Sequence, residues 1–169
     1  MFGDIQVVIL GIDPGYGTIG YGVIEKLNGK IRVIDYGVIT TPKDKPISER
    51  LVMIYDAMNL ITDKFKPDEI ALEELFFNTN ITTGIKVAQA RGVLVLSAIK
   101  SCGKLYEYTP LQVKMALTGE GRAEKRQVQF MVKTLLKLST VPRPDDAADA
   151  LAVAICHANT LQLGKRTLI

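Results

Sequence analysis

Hydrophobic positions along this chain follow two periods, and the switch between them divides it. From Gln6 to Asp13 the residues are almost all apolar (Val7, Val8, Ile9, Leu10, Ile12) and end in Asp-Pro-Gly, which predicts a strand buried on both faces. Residues 19–26 and Lys30–Thr40 predict two further strands, with the Asn28-Gly29 hairpin signal between them. Pro14-Gly15-Tyr16-Gly17 is a turn-rich link between the first two. Three consecutive antiparallel strands are the simplest arrangement.

After Pro46 the period becomes helical. Leu51, Ile54, Tyr55, Met58 and Ile61 predict an amphipathic helix over 48–64, with Ser48 as candidate N-cap and Pro67-Asp68 as its stop. Residues 69–74 form a short strand which, following a helix, should run parallel to the first. A long helix is predicted over 82–100. Its end (Val93, Leu94, Val95, Leu96, Ala98, Ile99) is apolar nearly all round and needs cover on two sides. The sheet supplies one side. A second copy of the chain is the candidate for the other, with Ala88 and Gly92 permitting close approach; a helix enclosed within one chain is the alternative. Leu105–Tyr108 is a fifth strand, and Pro110 opens a helix over 111–117. Gly119-Glu120-Gly121 is a loop, 123–138 an amphipathic helix, and Asp145–Thr160 the last helix. The order βββαβαβ followed by helices predicts an α/β sandwich with a mixed sheet, in one domain spanning residues 1–169.

Composition narrows the class. The two cysteines, Cys102 and Cys156, form no C-x-x-C pair and are too few for a thiolate zinc site. The apolar run Val7 to Leu10 is too short for a signal peptide core or a membrane span, so a cytoplasmic protein is expected. Net charge is +3. If several carboxylates gather at one point, the rest of the surface is more basic than that figure implies, which suits a polyanion brought to a metal centre.

The chemistry is carried by acidic residues in unexpected places. Asp146 and Asp149 lie three apart in the last helix and continue the face bearing Ala150, Val153, Cys156 and His157. A face that packs on a sheet does not carry unpaired charge. Helix capping accounts for Asp145 and could account for Asp146, but not for Asp149, a turn further in among alanines. Asp13 closes the first strand and Glu73 the fourth. Two parallel neighbours place them at the same end of the sheet, with the last helix above. Four crowded carboxylates repel, and hard divalent cations relieve them. Oxygen-only ligands select Mg²⁺ or Mn²⁺, and a pair of such ions is the arrangement that drives in-line phosphoryl displacement. His157, 11 residues beyond Asp146 on a helix rising about 1.5 Å per residue, is too distant to share that metal and reads as satisfied structure. In the helix over 123–138, Arg122, Arg126, Gln129, Lys133 and Lys137 form a polar stripe opposite Val128, Met131, Val132, Leu135 and Leu138. The preceding Gly-Glu-Gly loop gives Lys125 the freedom to reach a phosphate. Phe76, at a loop start before Asn78-Thr79-Asn80, is a candidate for stacking on bases.

These residues resemble the RuvC family of Holliday junction resolvases, within the ribonuclease-H-like superfamily. The likeness runs through Gly11-Ile12-Asp13-Pro14-Gly15 with Gly20-Tyr21-Gly22, then Ala71-Leu72-Glu73 before Leu75-Phe76, and Gln89-Ala90-Arg91-Gly92. It continues through Gln112-Val113-Lys114, Ala123-Glu124-Lys125 and the closing Asp146-Ala147-Ala148-Asp149-Ala150-Leu151-Ala152. The resemblance implies a ribonuclease-H-like fold with a five-stranded mixed sheet (three antiparallel, then two parallel strands) and helices on both faces. It implies that Asp13, Glu73, Asp146 and Asp149 are catalytic metal ligands, that Lys114 and Lys125 contact DNA phosphates, and that Phe76 stacks at the junction core. Arg122 and Arg126 are added as DNA contacts from their stripe. It also implies four-way junction DNA as substrate, a homodimer making symmetrical nicks, and junction-binding and branch-migrating partners of the RuvA and RuvB type. Two other readings remain open: an actin- or sugar-kinase-like ATPase, which needs a second similar domain, and a non-catalytic module that binds branched DNA.

Overall fold

The computed structural model describes residues 6–75 and 81–161. Strands β1 (Gln6–Asp13), β2 (Thr18–Leu27) and β3 (Lys30–Thr40) lead to helix α1 (Ile47–Phe65), strand β4 (Glu69–Glu73) and helix α2 (Ile81–Ser101). Strand β5 (Leu105–Tyr108) and helices α3 (Pro110–Thr118), α4 (Lys125–Leu135) and α5 (Asp145–Thr160) complete the chain order. The sheet order is β3-β2-β1-β4-β5. Neighbours β1/β2 and β2/β3 are antiparallel, and β1/β4 and β4/β5 are parallel. The predicted sheet is the observed one.

Local chemistry explains the joints. Asn28 and Gly29 both take positive φ, 50° and 78°, as a two-residue hairpin turn of matching twist requires. Helix α1 ends on Lys66 in the left-handed region, whose amide donates to the Thr62 carbonyl, with Pro67 next. Helix α3 opens with Thr109 and Gln112 in a reciprocal capping box and Pro110 in the first turn.

Three local expectations need correction. Pro46, not Ser48, caps α1, and no side chain accepts there. Helix α4 is shorter than 123–138: Glu124 caps it with Gln127, and it stops near Leu135 before Lys137 turns left-handed at φ 53°. Gln129, expected on the solvated stripe, is buried.

Side chains alternate between the two faces of the sheet. Leu10, Ile12, Ile70 and Leu72 pack with Ile54, Met58 and Leu94 of α1 and α2. Ile9, Ala71, Tyr106 and Tyr108 face the opposite way and pack under α5, α3 and α4. Helix α5 is therefore not amphipathic: Ala147, Ala148 and every residue from Ala150 to Ala158 is buried, because the sheet covers one side and α3 and α4 the other. His157, wholly buried, ties its far end down. Nε2 lies 2.7 Å from Glu69 Oε2 on β4, and Nδ1 lies 2.7 Å from the Tyr108 hydroxyl on β5. It is satisfied structure, as expected from its spacing.

Three glycines set the height of α5 above the sheet. A Cβ on Gly20 would strike the Asp146 carbonyl, one on Gly11 the Ala150 carbonyl and the Ala154 amide, and one on Gly22 the Leu151 side chain and amide. With alanines on the helix and glycines beneath, the two backbones meet almost without intervening side chains. Gly20→Ala is accordingly expected to lower stability by about 1–3 kcal/mol through overpacking. Urea unfolding measures this; an unchanged midpoint would show that α5 is free to lift.

Candidate active site

Parity and register bring the acidic residues together. The parallel pairing of β1 with β4 runs Ile9↔Glu69 to Ile12↔Leu72, so Asp13 and Glu73 come next as neighbours at the strand ends. Both share the face of Ile9 and Ala71, the one that α5 covers. Across β2, Asp13 pairs with Gly20, the same glycine that lets the Asp146 turn settle on the sheet. One close approach thus places Asp146 and Asp149 over Asp13.

The electrostatics record how tightly they meet. Burial, then the charges of Glu73, Asp149 and Asp146, push the Asp13 carboxyl up to about 8. Its proton is donated to Glu73, whose own pKa is raised by burial and by Asp149. Lys125 and Lys114 pull Glu73 the other way. Burial raises Asp149 too, against the hydrogen bond and charge of Lys125. Lys125 Nζ stands 2.9 Å from Asp149 and 3.6 Å from Asp145. Among the described residues no three His, Cys, Asp or Glu side chains converge as an ion-binding group in this structure. The Lys125 ammonium offsets part of the charge, and the raised Asp13 pKa favours its neutral form.

Glu73, Asp149, Lys114 and Lys125 line one cleft of about 250 Å³, with Val113 and Val128 as its apolar wall. Lys125 is the first residue of α4 rather than part of a mobile loop, and Asp149 and Asp145 tether it. A cation at a helix N-terminus opposes the helix dipole; the two carboxylates compensate. Asp145 does not cap α5 through its side chain; it pairs with Arg143 and Lys125. Arg122 and Arg126 are exposed and outside the cleft, Arg126 lining a separate groove with Phe130 and Arg143. Phe76 lies outside the described residues.

One basic residue near the site escaped the sequence reading. Arg50 of α1 is buried and stacks on Tyr16 in the turn after Asp13. Its signal was available: Arg50 starts the buried row Ile54, Met58 and Thr62 at four-residue spacing.

Fold and site define a ribonuclease-H-like α/β protein with an acidic cleft flanked by lysines. The family model for crossover junction endodeoxyribonuclease RuvC matches residues 9–157. A protein of that description from Finegoldia magna is 56% identical over 149 residues, 88% of this chain and 91% of its own. The structure of Thermus thermophilus RuvC in complex with Holliday junction substrate superposes with TM-score 0.91 at 36% identity, covering 96% of this chain and 99% of that one. The yeast mitochondrial Holliday junction resolvase Ydc2 shares the fold, with TM-score 0.69 at 18% identity, over 92% of this chain and 80% of its own. The chain belongs to the RuvC family.

The raised Asp13 pKa has a stability consequence. Its stabilising contribution, as the protonated acid, is complete below the unfolded value of 3.8 and is lost as pH rises through about 8. Asp13→Asn mimics the protonated form. In chelator, its melting temperature should exceed that of the unaltered protein at pH 8.5, and the gap should shrink toward pH 4. A gap independent of pH would show that Asp13 does not carry this proton.

Proposed function

We propose that the chain is a metal-dependent endonuclease that resolves four-way DNA junctions by paired, symmetrical nicks. The observation that carries this reading is that Asp13 hydrogen-bonds to Glu73 and feels the charges of Asp146 and Asp149, with Lys114 and Lys125 acting on Glu73. A pure DNA-binding module would gain by losing negative charge so close to phosphates. An actin-like ATPase needs a second phosphate-binding domain, which a RuvC family model spanning residues 9–157 does not supply.

The donor set fits a hard cation. All four candidate ligands are carboxylates, and three of them are pushed toward protonation by burial and by each other. Divalent cations, Mg²⁺ with Mn²⁺ as substitute and two per site, would be held by Asp13, Glu73, Asp146 and Asp149. When bound, they supply charge stabilisation at the attacking and departing oxygens of the phosphodiester. The chain's own residues do the rest. With a cation bound, Asp13 would serve as the ionised carboxylate and Asp149 would serve the cation rather than Lys125. Lys125 and Lys114, which line the same cleft, would then meet the negative charge growing on the phosphate. Arg122 and Arg126, exposed beyond the cleft, extend the basic surface along the duplex. Phe76 keeps its proposed stacking role.

A homodimer is the assembly we propose. Val52 and Leu60 of α1 and Ile85 and Leu96 of α2 are each more than half exposed, and a Cβ at Gly92 would meet nothing within 4 Å. Apolar surface of this kind, on the sheet face away from the cleft, supports that assembly. Junction-binding and branch-migrating proteins of the RuvA and RuvB type remain the expected partners. Among the described residues no helix is long and apolar enough to cross a membrane, and the cytoplasm is the setting proposed for a DNA substrate.

Synthetic four-way and linear duplexes, incubated with Mg²⁺ or with chelator, decide between the readings. Cutting of the four-way species in Mg²⁺ alone is expected. Asp149→Asn should lower the single-turnover rate by roughly a hundredfold or more and leave junction affinity intact. Lost binding in a folded variant would remove Asp149 from the ligand set. Lys125→Ala should slow cleavage, and an unchanged rate would exclude it from the site. Affinity should fall steeply with salt as phosphate contacts are screened; a flat profile argues against DNA. Leu60→Glu together with Leu96→Glu should yield monomers in sedimentation, and a persistent dimer would place the interface elsewhere.

A further inference from the structure

The turn after Asp13 is held by a buried guanidinium. Arg50 is 5% exposed, yet among the described residues it has no carboxylate partner. Buried charge without counter-charge is costly and is retained where it does something a neutral side chain cannot. All of its polar contacts go to one place. Nε donates to Thr41 Oγ1 at 2.8 Å and Nη2 to the Tyr16 carbonyl at 3.3 Å. The Thr41 hydroxyl donates to that same carbonyl at 2.8 Å, and the Thr41 amide donates to the Gly17 carbonyl at 3.0 Å. The flat face of the guanidinium lies 3.5 Å from the centroid of the Tyr16 ring. Lys86 of α2 faces the same ring at 5.7 Å. The Tyr16 carbonyl and ring and the neighbouring Gly17 carbonyl are thus gripped together, three and four residues beyond Asp13.

Asp13 depends on this grip because the ladder leaves it half supported. It pairs with Gly20 on β2, but the pairing with β4 ends one residue earlier, at Ile12↔Leu72. The turn from Pro14 to Gly17 therefore sets where the Asp13 carboxylate stands relative to Glu73.

We propose that Arg50 is a positioning residue for Asp13, acting through Tyr16 and Thr41 to hold the turn that presents that carboxylate to Glu73 and the α5 carboxylates. The inference rests on the nuclease reading of the same site. A displacement of about 1 Å at a reacting group can cost on the order of a hundredfold in rate, so the clamp should be visible in the chemistry and not in substrate binding.

The test uses the full chain with Arg50→Ala, Arg50→Lys and Thr41→Val. Four readouts apply: melting temperature, four-way junction affinity, single-turnover cleavage in saturating Mg²⁺, and Mn²⁺ affinity without DNA by electron paramagnetic resonance. Arg50→Ala is expected to bind junctions as the unaltered protein does, cleave roughly a hundredfold more slowly and hold Mn²⁺ more weakly. Guanidinium ion, at concentrations far below denaturing, should restore part of the rate to Arg50→Ala. Arg50→Lys keeps the charge but loses the planar two-point contact, and should stay slow. If Arg50→Ala does not fold, Thr41→Val decides: slowed cleavage at unchanged junction affinity supports the clamp. Cleavage and Mn²⁺ affinity at unaltered levels in Arg50→Lys and Thr41→Val, or no response of folded Arg50→Ala to guanidinium, overturns it. Failure of the unaltered protein to cut junctions in Mg²⁺ would instead sink the nuclease reading, and the Mn²⁺ comparison would still report on the clamp.

Discussion

The contact on which this molecule depends is the one between the backbone of α5 and the glycines of β1 and β2. Interiors pack at crystal-like density, and a single methyl in such a contact is felt. Here three missing methyls, at Gly11, Gly20 and Gly22, bring a helix of alanines down onto the sheet. Covering that helix on its other side then requires α3 and α4, and these carry Lys114 and Lys125. The positions of Asp149, Lys114 and Lys125 thus depend on how low α5 lies. His157 pins the far end of the same helix to β4 and β5, so α5 is held at both ends while its acidic end stays at the edge of the core.

That geometry has an electrostatic cost, and the cost is put to use. Asp13 is driven to about 8 because burial and three other carboxylates disfavour its charge. Lys125 pairs with Asp149, and the raised Asp13 pKa favours its neutral form; in the proposed nuclease hard cations would take over both roles. The lysine sits at a helix N-terminus, where the helix dipole gives it no help. Lys125 is therefore held chiefly by Asp149 and Asp145, and in the proposed nuclease a cation on Asp149 would release it toward a phosphate. A site strained in this way is consistent with function concentrating where ionisation is most perturbed.

The clamp at the other end of Asp13 obeys a similar logic. A buried cation in α1 has no local purpose in packing a helix on a sheet, and leucine would pack there more cheaply. Its contacts are spent on a turn and on one tyrosine. Acidic residues from two layers can cooperate only if both layers hold still: Arg50 braces the turn beyond Asp13, and His157 pins the far end of α5.

Much of this was legible in the sequence. Period-two and helical patterns located all five strands and five helices to within a few residues, because burial imposes those periods directly. Asp149 stood out because it interrupts an apolar helix face, and Asp13 and Glu73 because parallel neighbouring strands put their ends at the same edge of the sheet. The stripe containing Gln129 was misread because helical spacing separates faces but does not say which face a neighbouring segment will cover. The Lys125 tether, the protonated Asp13–Glu73 pair and the Arg50 clamp could not be read at all. Sequence period determines which way a side chain points relative to its own element; how closely two elements approach, and so which charges share a dielectric, is decided only when packing sets the distance between backbones.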